Sequence, residues 1–326
     1  GCQMAHTTAL AAARHAVLEQ KGWDVESQGL QGAPAIRVLA NAHHHSSVTR
    51  ALRLLGLGSD CIVPLGGGRP GLVAPEALCA ALAEAPDAPT ILILNAGDLN
   101  IGACDDFATL CPIAHAAGAW VHVDGAFGLW ANASPRLSAL VSGVEHADSW
   151  ATDGHKWLNT PYDCGMAITR HASAHSAAMR MTAAYLTSGG SVRDPMDYTP
   201  EWSRRARAIP ALAALMELGR DGLAAMIERC CDHAAAIYDG IAELEGATGI
   251  ARPIMNQGLI RFDTKDGANI SDAVIASINA SGEAFLSGGS WNGARVMRIS
   301  VCGWNTNADD VARTVAAARH ALLGMR

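Results

Sequence analysis

The sequence predicts an α/β protein with a mostly parallel β-sheet in a large domain, residues 1–215, and a smaller α+β domain, residues 216–326. Short β-rich runs alternate with helical stretches over the first two thirds of the chain, which is typical of a parallel sheet with helices on both faces. The pattern changes after Arg204, where a long helical region follows. With 326 residues, 50% of them hydrophobic, the chain can form one sizeable core and a smaller lobe.

Five buried strands are predicted in the large domain. In chain order they are Ala35–Ala42, Cys61–Leu65, Thr90–Asn95, Ala119–Asp124 and Gly165–Thr169. The helices predicted there are His6–Gln20, Ser46–Leu55, Pro75–Ala85 and Asp106–Ala117. Ligands bind at the carboxyl ends of the strands in such sheets, so polar residues at those ends are candidates for a functional site.

The C-terminal third is predicted to form the smaller domain. The long helical region extends to about Glu245 and is interrupted near Gly219–Gly222. Strands are then predicted at Leu259–Asp263 and Arg295–Val301, and helices at Ile270–Ala280 and Asp309–Leu323. Strands and helices in this order are typical of an α+β lobe.

Composition excludes several classes of partner. The net charge is −7 and no basic stripe is visible, which argues against nucleic acid and anionic membrane surfaces. The longest apolar runs, such as Ile91–Leu94, are far shorter than the ~20 residues of a membrane span. Nine cysteines without a C-x-x-C pair indicate a reduced, cytoplasmic protein. The chain begins at Gly1 inside a loop-to-helix pattern, so we expect an N-terminal segment to be absent.

An acid and an amine follow two predicted strands. Asp124 ends a hydrophobic strand, and Lys156 follows the next strand-like segment, directly after His155. Taken singly, such an aspartate is often a turn former and such a lysine a surface charge. Together they are what a pyridoxal-phosphate (PLP) site needs, because the lysine forms an imine with the cofactor aldehyde and the acid keeps the pyridine nitrogen protonated.

The stretch Ala147–Leu158 (ADSWATDGHKWL) resembles the lysine motif of the group II PLP-dependent amino-acid decarboxylases. This family includes the aromatic amino-acid, glutamate and diaminobutyrate decarboxylases. The similarity extends from Gly1 to the C-terminus. It implies PLP fold type I, the aspartate aminotransferase-like fold, a homodimer, and decarboxylation of an L-amino acid to an amine.

The resemblance also implies roles for residues around the lysine. Lys156 would be the Schiff-base lysine, and His155 would lie beside the cofactor phosphate. Asp124 would pair with the pyridine nitrogen, with Ala126 packed under the ring. In the stretch HHHSSV, alignment on Ser-Ser-Val makes His45 the imidazole that stacks on the ring and faces the reacting carbon.

Further roles follow from the same resemblance. The backbone N–H groups of Gln3 and Met4 would hold the phosphate at a helix N-terminus. Asn100 would line the cofactor, and Arg298 would be available to a substrate carboxylate. Tyr198 is a candidate proton donor, since it follows a segment, Thr187–Ser191, that could act as a lid.

Other features have simpler interpretations. Adjacent residues on a strand point to opposite faces, so the three histidines His43–His45 are not expected to share a metal ion. His122 is expected to pack in the core. The family loop carries threonines where this chain has Asp98 and Leu99, so the cofactor contacts of that loop differ here.

Two alternatives to decarboxylation stay open at this point. The same lysine, aspartate and histidine serve C–S or C–C lyases and aminotransferases of this fold. A catalytically silent PLP-fold interaction protein is the other alternative, and the expected absence of an N-terminal segment favours it. No predicted strand is followed by G-x-G-x-x-G, which argues against a dinucleotide-dependent dehydrogenase.

Overall fold

The large domain is built on a six-stranded sheet. The computed structural model describes residues 1–66, 71–181 and 193–325. The strands are β1 (Arg37–Asn41), β2 (Ile62–Leu65), β3 (Thr90–Asn95), β4 (Trp120–Asp124), β5 (Ser149–Asp153) and β6 (Gly165–Thr169). Their order is β2-β1-β3-β4-β5-β6. All neighbours pair in parallel except the edge strand β6, which runs antiparallel to β5.

Helices cover both faces of this sheet. They are α1 (Cys2–Glu19), α2 (Val25–Gln28), α3 (Ser46–Leu54), α4 (Pro75–Glu84), α5 (Phe107–Ala116) and α6 (Ala172–Met179). Short 3₁₀ segments connect β4 to β5 and precede α7. Helix α1 is rich in alanine and buried along most of its length, since small side chains allow a close approach to the strands. It packs on α3, α6 and β4–β6, which places its N-terminus near the sheet's functional edge.

The smaller lobe is an antiparallel sheet covered by helices. Helix α7 (Ala208–Ala242) leads into β7 (Ala247–Ala251), β8 (Gln257–Phe262), α8 (Ser271–Ser281), β9 (Ser287–Trp291), β10 (Ala294–Ser300) and α9 (Ala308–Leu323). The strand order is β7-β8-β10-β9. The predicted interruption of the long helix is confirmed: Gly219 has φ 61° and ψ −172°, a conformation that favours glycine.

The α/β prediction is confirmed, with local corrections. Strands β7 and β9 were not predicted, because their sequences ATGIA and SGGSW lack an alternation of apolar residues. Helix α6 was also missed, and α1 begins at Cys2 rather than His6. The two lobes share one hydrophobic core that includes Phe107, Trp157 and Ile260. Within the residues described, no helix is long and apolar enough to cross a membrane.

Candidate active site

A cavity of about 680 Å³ opens between the two lobes, at the carboxyl ends of β3, β4 and β5. Large-domain residues form its floor, and β8 and β10 of the small lobe contribute Gln257 and Arg298. Its volume is that of a typical small-molecule site. Seven of the sequence-predicted site residues belong to this region: Gln3, His45, Asp124, Ala126, His155, Lys156 and Arg298.

Asp124 ends β4 on the cavity floor and is 7% exposed. One carboxylate oxygen accepts the backbone N–H of Ala126 at 3.1 Å. Burial is the largest single influence and raises the pKa of Asp124. The attraction of His6, 3.4 Å away, acts together with the Ala126 N–H and the charge of Lys156, and their sum leaves the pKa below its usual value. The cavity therefore contains a buried, ionised carboxylate.

Lys156 lies just beyond the end of β5. Its Nζ is 3.3 Å from a carboxylate oxygen of Asp153 and 5.9 Å from the centre of the Phe127 ring. The other Asp153 oxygen accepts the backbone N–H of Cys2, the first residue of α1, at 2.6 Å. Asp153 thus joins the helix N-terminus to the amine. Sequence reasoning left it unassigned, although it stands in the lysine motif.

His155 is held against the rim of the cavity. Its Nδ1 lies 2.8 Å from the carbonyl oxygen of Cys164, and its ring stacks on Tyr162 with centroids 4.1 Å apart. A Cβ at Gly1 would lie 2.7 Å from the His155 ring, so glycine is required there. Tyr162, a cavity residue that is 73% exposed, was not singled out from the sequence because it follows a proline in a loop-like stretch.

His45 caps the N-terminus of α3. Its Nδ1 accepts the backbone N–H of Ser47 at 3.2 Å, and the Ser47 hydroxyl lies 2.7 Å from the same nitrogen. Partial burial lowers the pKa of His45 despite the opposing attraction of Asp124. The imidazole is therefore neutral with its hydrogen on Nε2, which is left available as a donor.

The structure does not bring Met4, Asn100 and Tyr198 to this cavity. The Met4 N–H donates to the Gly1 carbonyl at 3.0 Å. The Met4 side chain lines a neighbouring cleft instead of this cavity. The Asn100 N–H bonds to Asp98 in a tight turn. Tyr198 lines the neighbouring cleft, where its carbonyl lies 3.0 Å from His175 Nε2. The predicted lid, Thr187–Ser191, lies outside the described residues.

Arg298 on β10 reaches from the small lobe to the large one. Its Nη2 donates to the Leu99 carbonyl at 2.7 Å and lies 3.4 Å from Gln257 Oε1. Its Nε is buried without a hydrogen-bond partner among the described residues. The site therefore contains a cation with an unused donor.

The loop after β3 is anchored by Asp105. Its carboxylate accepts the N–H groups of Asn95 and Val73 at 2.7 and 2.8 Å. Burial nevertheless raises the pKa of Asp105 to about 6.

This buried acid predicts a pH dependence of stability. A folded-state pKa above the unfolded value favours the protonated acid, so its contribution is complete below about pH 4 and is lost as the pH rises through about 6. From about pH 4 to 7 we expect the unfolding free energy of the wild type to fall by up to about 3 kcal/mol relative to Asp105→Asn. Urea unfolding at both pH values measures this, and parallel pH profiles would contradict it.

One buried cluster was not foreseen. The Cys2 sulfur, a His6 nitrogen and an Asp124 oxygen lie within 4.8 Å of one another, a grouping that could ligate a cation. Ligation would require the Cys2 thiolate. Burial, together with the charges of Asp124 and Asp153, raises the pKa of Cys2 well above its usual value and opposes that ionisation. We therefore interpret His6 as a partner of Asp124.

The structure resembles solved enzymes over its whole length. A crystal structure of Oryza sativa TDC with PLP and tryptamine covers 100% of this chain with a TM-score of 0.89 and 23% identity, and 69% of that chain is matched. A glutamate decarboxylase domain from Vibrio parahaemolyticus matches with a TM-score of 0.84, 19% identity, 99% of this chain and 67% of that one. These similarities confirm the prediction of PLP fold type I.

Sequence comparison gives the family. L-2,4-diaminobutyrate decarboxylase from Rhizobium meliloti is 28% identical over 250 residues, covering 74% of this chain and 50% of the relative. Aromatic-L-amino-acid decarboxylase from Bacillus atrophaeus is 30% identical over 253 residues, covering 76% and 50%. The chain spans about half the length of these curated relatives. The family model described as pyridoxal-dependent decarboxylase conserved domain matches residues 2–265. The chain therefore belongs to the pyridoxal-dependent decarboxylase family.

Proposed function

We propose that this protein binds pyridoxal 5'-phosphate on Lys156 and decarboxylates an L-amino acid to an amine. The observation that carries the proposal is the presence of the Lys156 amine and the ionised, buried Asp124 in one cavity of suitable volume. Family membership supports the same reaction type.

The residues present fit the cofactor. Asn95 lines the cavity, and its buried Nδ2 has no hydrogen-bond partner among the described residues. This N–H group can therefore donate to an acceptor on a bound cofactor. At the start of α1, the Gln3 N–H has no acceptor within the described parts, whereas Cys2 and Met4 are already bonded. Such a helix N-terminus suits a phosphate. The cofactor, when bound, supplies an aldehyde for Lys156 and an electron-accepting ring.

Several side chains of the cavity then have separate roles in the proposed reaction. Asp124 would accept a hydrogen bond from the ring nitrogen of the bound cofactor and keep that nitrogen protonated, and His155 would lie beside the phosphate. Arg298, which lines the cavity, would hold the substrate carboxylate. His45 Nε2–H donates the proton that returns to the α-carbon. Tyr198 is the alternative donor, and it would have to move from the neighbouring cleft.

The proposal extends to assembly and location. Apolar side chains on the first turns of α7, Ile209, Leu212 and Met216, are 68%, 58% and 76% exposed, which supports a homodimer. All nine cysteines are free, which supports a reducing compartment, the cytoplasm.

We place the domain boundary at residues 215–216, close to the break at Gly219. The two relatives' names point to different substrate classes, so the amino acid is left as a class.

The experiment exploits the small number of lysines. The chain has three, Lys21, Lys156 and Lys265, and the first and last are exposed. We expect added PLP to give a visible absorbance band that borohydride reduction fixes on the peptide containing Lys156. Label spread over Lys21 and Lys265 would reject the proposed site. A band on Lys156 without carbon dioxide release from any amino acid, but with a keto acid or a sulfide produced, would reject decarboxylation.

A further inference from the structure

A line of buried polar groups runs away from Asp124 through the protein interior. Nε2 of His6 lies 3.4 Å from Asp124, and Nδ1 of His6 lies 2.9 Å from Nε2 of His122. Nδ1 of His122 lies 2.9 Å from the Ser149 hydroxyl, which accepts Trp120 Nε1–H at 2.9 Å. His6, His122 and Ser149 are 0% exposed.

The direction of hydrogen donation along this line follows from which of its groups can donate and which can accept. Trp120 donates only, so Ser149 accepts from it and retains a hydroxyl hydrogen for Nδ1 of His122. Burial lowers the pKa of His122 to about 3, so this ring is neutral and its single hydrogen lies on Nε2, facing His6. In a neutral His6, Nδ1 would accept that hydrogen, and the His6 hydrogen would then be on Nε2, facing Asp124.

The reverse direction of hydrogen donation along this line is unfavourable at the Asp124 carboxylate. A neutral His6 with its hydrogen on Nδ1 would turn a nitrogen lone pair toward an Asp124 oxygen at 3.4 Å. If His6 were protonated on both nitrogens, Nε2–H would still face Asp124 and His122 would donate to Ser149. Both arrangements that avoid a lone pair facing the carboxylate place Nε2–H of His6 toward Asp124, in a close polar contact of 3.4 Å that does not reach hydrogen-bond geometry.

We propose that His6 is a positioning residue that keeps Asp124 ionised and oriented, with its tautomer fixed by His122 and Ser149. This inference rests on the proposed function for its consequence: an ionised Asp124 is the group that holds the cofactor's ring nitrogen protonated. Neither His6 nor His122 is among the residues that line the cavity. They act through the carboxylate.

Other titratable groups also face this pair. They are Cys2 on α1, His45 before α3, His122 on β4, Asp153 at the end of β5, and Lys156 just after it. A test must therefore isolate the contact between His6 and Asp124. His6→Leu removes the donor, whereas His6→Gln restores an N–H at the end of a side chain of similar length. Neither variant carries the His6 imidazole, so comparing them cancels its titration in the unfolded chain.

The first readout uses chelator-treated protein without cofactor. In His6→Leu the burial of Asp124 is no longer compensated, so its pKa is expected to rise above the unfolded value. Stability from this group is then lost as the pH rises through that raised pKa, so His6→Leu should lose stability relative to His6→Gln between about pH 5 and 7. Denaturant unfolding across this range measures the difference. Coincident pH profiles for the two variants would overturn the proposal.

The second readout uses PLP-loaded protein. We expect His6→Leu to lower turnover roughly ten- to a hundredfold, with an altered pH dependence of the bound cofactor's absorbance, and His6→Gln to recover most of both. His122→Asn should cause a smaller change of the same kind. His115→Asn is the matched control, because His115 lies 3.0 Å from another buried carboxylate, Asp148, at the opposite end of the strands. Equal losses in His6→Leu and His115→Asn would overturn a specific role.

The two readouts separate this inference from the proposed function. If the wild type formed no cofactor band, the proposed function would fail, while the cofactor-free unfolding comparison would still decide the His6–Asp124 interaction. If His6→Leu did not fold, His122→Asn compared with the wild type would carry the test. An unchanged absorbance pH profile in His122→Asn would overturn the proposal.

Discussion

Replacing Lys156 with alanine is expected to lower turnover by a factor on the order of 10³ or more and to remove the visible band fixed by borohydride. The change removes the covalent attachment point and the amine that lies 3.3 Å from Asp153. The side chain is 37% exposed, so the loss should act on chemistry rather than on folding. Carbon dioxide release and peptide mapping measure both effects.

The matched controls for this variant are Lys21→Ala and Lys265→Ala. Both side chains are exposed and neither lines the cavity, so both variants should keep wild-type turnover and label. Turnover and absorbance that survived in Lys156→Ala would assign the chemistry to another group and would refute the proposed attachment.

Asp124→Asn is expected to have the second largest effect, with turnover lower by roughly 10²- to 10⁴-fold. Asparagine keeps the size of the side chain and an acceptor for the Ala126 N–H. It lacks the negative charge that favours a protonated ring nitrogen. Covalent attachment at Lys156 should persist, because the amine is untouched.

The measurement pairs borohydride labelling with turnover in the same sample. Asp148→Asn is the control for loss of a buried carboxylate, since Asp148 is 8% exposed and lies at the other end of the strands. Full turnover in Asp124→Asn would show that the charge is not used. Loss of label in that variant would show that Asp124 serves attachment rather than reactivity.

The parts of the site that the sequence predicted are those fixed by periodicity and strand position. Asp124 and Lys156 follow buried strands, and parallel pairing brings such ends to one edge. His45 was placed by resemblance, and its Nδ1–Ser47 cap explains why a histidine precedes that helix. The direction of β6 could not be predicted, because the alternation of apolar residues is the same for parallel and antiparallel edge strands.

The missed residues lack such a local signature. His6 lies within the alanine-rich stretch of α1, which reads as packing, and its partner His122 belongs to another element more than a hundred residues away. The backbone N–H of Met4 was assigned to the phosphate by resemblance, but in the structure it donates to the Gly1 carbonyl. The hydrogen-bond partners of these groups are set by tertiary contacts, so they cannot be predicted from the sequence pattern.

The hydrogen bond from Cys2 to Asp153 has a consequence for biogenesis. It closes a loop of 151 residues, and the contact of Arg298 with Leu99 closes one of 199. Contacts between such distant positions form late, because the entropy of closing long loops must be overcome first. A nascent chain in which β5 has not yet been synthesised therefore lacks both Asp153, which anchors the α1 N-terminus, and Lys156. The lysine and the anchor of the α1 N-terminus are therefore brought together only after β5 has joined the sheet.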